Sequence, residues 1–266
     1  MYKTGQREAL RAALIEAARN DGRIAGAALT GSAAGETEDQ WSDIDLAFGI
    51  GAAAELPAAL AEWTERMYRE HGAVHHLDVT AGAWIYRVFL LDIGLQVDLA
   101  FVAASEFGAR APTFRLLFGE AVEIPHTASP AASDIIGRAW LYGLHVRGCI
   151  GRGRLWQAEY MVSFMRDEVL ALACLRHGLP SAHGRGMDRL PESVTAPLQR
   201  ALVGRLEEAE LIRAFRVVTD ALIREIRHLD AGLAARIEPV LVQMPHDAGA
   251  ATLVRRVVDT GGGPSP

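Results

Sequence analysis

Cysteine is scarce in this chain of 266 residues. Cys149 and Cys174 stand far apart, with no Cys or His near either at metal-ligand spacing. That excludes a disulfide framework and a zinc site, and both thiols are expected to be buried. No basic-then-apolar leader opens the chain at Met1-Tyr2-Lys3, and no uncharged stretch approaches the roughly 20 apolar residues of a membrane span. The expected location is therefore the cytoplasm, away from any membrane. Internal repeats and low-complexity runs are also missing, apart from a short tail at 261–266 that is expected to be flexible. Lysine is nearly absent, Lys3 being the only one. A basic front half is missing too: residues 1–109 carry 8 basic against 16 acidic groups, whereas the remainder carries 19 against 17. An acidic surface grips a phosphate backbone poorly, so large nucleic-acid substrates are disfavoured.

What is present is a core's worth of apolar residues, 50% of the chain, in two successive patterns. Residues 7–19 have helical spacing (Leu10, Ala13, Leu14, Ala17) and stop at Asn20-Asp21-Gly22. A short apolar run from Ile24 to Thr30 reads as a buried strand leading into Gly31-Ser32. Asp43 to Phe48 alternates with period two and reads as a second strand. A helix is expected over 53–70. Strands are expected at 75–80, 84–91 and 95–102, close enough in sequence to be antiparallel neighbours. Beyond Phe107 strand patterns fade, and 3.6-residue periodicity marks helices at 138–149, 154–177, 192–203 and 207–227. The stripe Trp156, Tyr160, Phe164 is expected in the core of that half. The predicted fold is α+β: a mixed sheet with flanking helices over residues 1–109, then a helical bundle over 110–260. Pro112, Pro125 and Pro130 punctuate the boundary region.

The chemistry concentrates in the first half. Residues two apart on a strand share a face, so Asp43 and Asp45 project side by side. Two such carboxylates repel one another unless a cation lies between them, and hard oxygen ligands suit Mg²⁺. Asp98 is a third acid, set among apolar residues in Leu95-Gln96-Val97-Asp98-Leu99, where an unpaired charge is costly. Upstream, Gly31 lets the backbone approach a ligand closely and Ser32 adds a hydroxyl. The plainer alternative for Asp43 and Asp45 is a solvated strand-edge pair; the Gly-Ser spacing favours the metal. His75 and His76 point to opposite faces and are expected to be exposed.

The string Leu29-Thr30-Gly31-Ser32, a gap of ten residues, then Asp43-Ile44-Asp45, with a later strand carboxylate, resembles the signature of the DNA polymerase β-like nucleotidyltransferases. That resemblance implies that Asp43 and Asp45 hold Mg²⁺, that Asp98 completes the site or acts as base, and that Gly31-Ser32 cradles the phosphates of an NTP such as ATP. The helical half resembles more loosely the second domain of aminoglycoside and lincosamide nucleotidyltransferases. It implies a small-molecule acceptor, with Glu159 as a base or acceptor contact and Arg166 beside it, and it leaves a homodimer open. With no lysine available in that half, phosphate contacts pass to arginines such as Arg147 or Arg166. The near-neutral helical half tilts the acceptor toward a less charged molecule such as a lincosamide. Two other readings remain: a regulatory or antitoxin-type enzyme that nucleotidylates a protein, and a non-catalytic nucleotide-binding module.

Overall fold

The computed structural model describes residues 4–110, 112–125 and 130–260, the last nine of these by backbone only. Lys3 and the expected tail at 261–266 lie outside the described residues. The chain divides into two compact units, residues 1–128 and 129–266.

The first unit opens with helix α1 (Thr4–Arg19), strand β1 (Ile24–Thr30) and one turn of helix, α2 (Gly31–Ala34). Strand β2 (Ile44–Ile50) and helix α3 (Leu56–Glu70) follow, then β3 (Ala73–Ala81), β4 (Trp84–Leu91), β5 (Gln96–Ala103) and β6 (Phe114–Gly119). The six strands form one sheet in the order β3-β4-β5-β2-β1-β6. β2 and β5 run parallel, and every other pairing is antiparallel, as the short turns among β3, β4 and β5 require.

The two faces of this sheet differ in kind. Leu46, Phe48, Leu99 and Phe101 point to one side, where α1 contributes Leu14 and Ala18 and α3 contributes Trp63 and Met67 to a single apolar cluster. Asp21, at the turn after α1, pins this layer: it pairs with Arg23 at 2.8 Å and accepts a hydrogen bond from Trp63 Nε1 at 3.1 Å. The Arg23 guanidinium holds the Asp21 carboxyl at about 2. On the other side the alternate residues are small: Ala28, Ala47 and Ala100. Gly26 and Gly49 pair across β1 and β2, and a Cβ on Gly49 would come within 2.8 Å of the Phe107 ring. Phe107 therefore packs against the far end of that face.

Strand β6 was not among the expected strands, whose patterns faded beyond Phe107. β6 pairs with β1 (Thr30↔Phe114, Ala28↔Leu116), so the first unit extends through it. An edge strand needs only one partner and has no alternation strong enough to announce it.

The second unit consists of α4 (Ala132–Gly151), α5 (Leu155–Arg176), α6 (Glu192–Gln199), α7 (Glu208–Leu229) and α8 (Ala231–Thr260). Its core joins Val146, Val162, Val169, Phe215, Leu222 and Leu241. Cys149 and Cys174 are buried free thiols, as expected. The Arg176 guanidinium forms a bidentate pair with Glu225, 2.7 and 2.9 Å, inside this bundle. α8 escaped the sequence reading because Pro239 and Pro245 interrupt it. The aromatic stripe of α5 is a correction. Trp156, Tyr160 and Phe164 are 78%, 56% and 37% exposed, while Ala158, Val162 and Val169 fill the core. The two stripes sit about 200° apart on the helix, and periodicity alone does not say which is buried. Among the described residues no helix is long and apolar enough to cross a membrane.

Candidate active site

Three carboxylates meet on the small-residue face of the sheet. Asp45 on β2 lies directly opposite Asp98 on the parallel strand β5, and Asp43 immediately precedes β2 on the same side. Each offers an oxygen, and these oxygens lie within 4.8 Å of one another. All three residues are half-buried. Register makes this arrangement: in a parallel pair, opposed residues project to one face, and the two-residue repeat adds Asp43.

Gln96 joins the cluster, a residue for which the sequence reading assigned no role. Its side-chain amide donates to Asp43 Oδ2 at 3.2 Å and to Asp98 Oδ1 at 2.9 Å, tying the two acids together. Its position two residues before Asp98 was the available signal. Burial pushes the Asp98 carboxyl up to about 6, against the Gln96 hydrogen bond and with help from the Asp43 charge. Such a carboxyl takes up a proton as pH falls through about 6, and a cation bound beside it would favour the ionised form.

Gly31 closes the cluster from the β1 side. Its φ is +59°, and a Cβ there would stand 2.0 Å from Asp45 Oδ2. Only glycine permits that approach. The donor set, three hard oxygens from separate chain positions, fits a divalent cation such as Mg²⁺.

The loop from Gly35 to Ser42 is braced from α1. Arg7, only 2% exposed, donates from Nη1 to the carbonyls of Asp39 and Ser42, the latter at 3.1 Å, and Arg11 pairs with Glu38. Ser42 Oγ accepts from the Asp39 amide at 2.9 Å. Asp43 is thus held by the end of a fixed loop. Arg7 was also missed, although it shares the buried face of α1 with Leu14 and Ala18.

The remaining predicted residues are engaged elsewhere. Ser32 follows Gly31 in α2, and its carbonyl accepts from the Thr37 amide at 3.0 Å. Glu159 and Arg166 belong to α5 of the second unit, Glu159 accepting from Ser163 at 2.8 Å and Arg166 pairing with Asp167 at 3.2 Å. Arg147 pairs with Asp247 at 3.4 Å. A cavity of about 490 Å³ opens within that unit, lined among others by Phe164, Asp167 and the bidentate pair Arg138–Glu168. His76 is half-buried rather than exposed, 2.9 Å from the Tyr68 hydroxyl, while His75 is exposed.

No protein-family model matches the chain, and no curated protein matches it. Among solved structures, the crystal structure of an aminoglycoside 6-adenyltransferase from Bacillus subtilis matches with 14% identity and a TM-score of 0.40, covering 87% of this chain and 95% of that one. The chain is similar to a nucleotidyltransferase. At that identity and TM-score the likeness assigns it no activity.

Proposed function

We propose that this protein is a Mg²⁺-dependent nucleotidyltransferase, moving a nucleoside monophosphate from an NTP, ATP among the candidates, to a hydroxyl of a small molecule. The convergence of Asp43, Asp45 and Asp98 beside Gly31 carries the reading. Those three carboxylates are the residues to hold Mg²⁺. When bound, the ion supplies positive charge at the phosphoryl oxygens and the leaving group.

The chain's own groups do the rest. The bare backbone of Gly31 lets the Asp45 carboxylate pack against the end of β1, and the Ser32 hydroxyl, next in sequence, is the group assigned to donate to a phosphate. Gln96 holds Asp43 and Asp98 in one geometry, and Arg7 fixes the loop that delivers Asp43. Asp98, with a carboxyl that titrates near 6 and with Oδ1 engaged by Gln96, takes the proton of the acceptor hydroxyl at Oδ2. The new bond joins the acceptor oxygen to the α-phosphorus, and the bond broken releases pyrophosphate.

The helical unit is assigned to acceptor binding, with Glu159 and Arg166 as its first residues to test. The 490 Å³ cavity in that unit has the size of a small-molecule site. The full chain with each of four NTPs, Mg²⁺ and a panel of aminoglycosides and lincosamides should release pyrophosphate and yield an acceptor heavier by one nucleotide. Asp43→Asn should lose this activity by about a thousandfold while keeping its fold. Equal turnover by the variant rejects the proposal; labelling of a protein in place of the small molecules redirects it to a protein acceptor.

A further inference from the structure

A second cavity opens on the same sheet face as the three carboxylates, one strand repeat further along. Its floor is Ala47 on β2 and Ala100 on β5, which are themselves opposed in register as Asp45 and Asp98 are. Two residues along a strand advance about 7 Å, so the floor begins one such step from the acids. Trp84 and Tyr86, successive same-face residues of β4, form a wall, their rings stacked 22° from parallel at 5.9 Å. Phe114 of β6 also lines the cavity, whose volume is about 170 Å³. That is below the size of a whole drug-like ligand and suits a single ring system.

The lining decides the chemistry. Arg110 bonds the Ala81 carbonyl at 2.6 Å and also engages the Tyr86 hydroxyl, so it ties the segment after β5 to the tip of the β3–β4 hairpin. Arginine has five donors and no acceptor. Thr30 and Thr113 add hydroxyls, and among the described residues no carboxylate lines the space. An ammonium group meets the Arg110 guanidinium and no carboxylate among these lining residues. A flat ring finds aromatic faces, an apolar floor and donors for the oxygens or nitrogens on its edge.

We propose that this cavity seats a planar heterocycle with hydrogen-bond acceptors on its edge, one sugar's reach from the carboxylates. Two molecules could bring that ring, the nucleotide through its base or the acceptor through a heteroaromatic group. The inference rests on the nucleotidyltransferase reading for its biological ligand, but the binding itself requires neither metal nor triphosphate.

The test uses the full chain without Mg²⁺ and ligand-observed NMR with the four uncharged nucleosides in one arm and sugar-free heteroaromatics, such as purine and pyrimidinone, in the other. Ala47→Val raises the floor, and Thr113→Leu narrows the exposed rim should the first variant melt early. Saturable nucleoside binding weakened about tenfold or more by either substitution assigns the ring to the nucleotide. The same loss seen only for sugar-free rings assigns it to the acceptor. Asp43→Asn should leave this binding intact even while transfer is abolished, which separates the pocket from the catalytic reading. No binding in either arm, or binding unchanged in both folded variants, overturns the proposal.

Discussion

The two faces of the six-stranded sheet are built from the same strands and obey opposite rules. One face carries Leu46, Phe48, Leu99 and Phe101 against Trp63 and Met67, and it is sealed by α1 and α3. The other carries Asp45, Asp98, Ala47, Ala100 and Gly49, with Trp84, Tyr86 and Phe107 packed against its small residues. Large side chains on the first face supply the burial that keeps the sheet folded. Small ones on the second leave space, and the acids placed there cost stability because they crowd like charges into a half-buried site. A sheet of this kind concentrates its stability on one side and its chemistry on the other.

Adjacent residues of β2 put that contrast to its sharpest test. Asp45→Asn should lower transfer by about a thousandfold, read as pyrophosphate release, with a thermal midpoint no lower than that of the parent chain. Its neighbour Leu46→Ala, fully buried among the helix-face residues, should cost about 3 kcal/mol in denaturant unfolding. Metal affinity in the folded fraction should not change. If both substitutions moved stability and activity together, the division between faces would be wrong.

Gly31→Ala probes the border. A methyl group there meets Asp45 Oδ2 in a backbone conformation unfavourable to alanine, so a loss of about 2 kcal/mol is expected. Weaker Mg²⁺ binding should accompany it, measured by calorimetry. A gain in stability would show that the glycine is not needed for that approach.

The smallest effect is a pH dependence. The Asp98 carboxyl lies above its usual value in the folded chain, so ionising it costs more folded than unfolded. Metal-free stability should therefore fall as pH rises from about 4 to about 6 and stay lower beyond, by about 1 kcal/mol once partial exposure is allowed for. Mg²⁺ should raise the melting temperature more at pH 8 than at pH 5, and Asp98→Asn should remove the fall. An unchanged profile in that variant would place the titration elsewhere.

Much of the first unit was legible from pattern. Period-two alternation located β2, extended segments in quick succession located β3, β4 and β5, and the spacing of Gly31, Asp43 and Asp45 selected the acids that the structure brings together with Asp98. β6 was not legible, because a six-residue edge strand takes its conformation from pairing with β1. The helical unit was legible as helices only. Two apolar stripes on α5 have the same period, so the choice of Val162 over Phe164 for the core depended on which neighbours pack there.

The chain's own order of residues determined which positions share a strand face and hence that Asp43 and Asp45 stand together, because alternation is a local property of extended backbone. The parallel register that sets Asp98 opposite Asp45, the amide of Gln96 across two acids and the Arg7 brace were decided by tertiary structure. Register and long-range hydrogen bonds depend on how segments distant in sequence are packed, and no window of neighbouring residues contains that information.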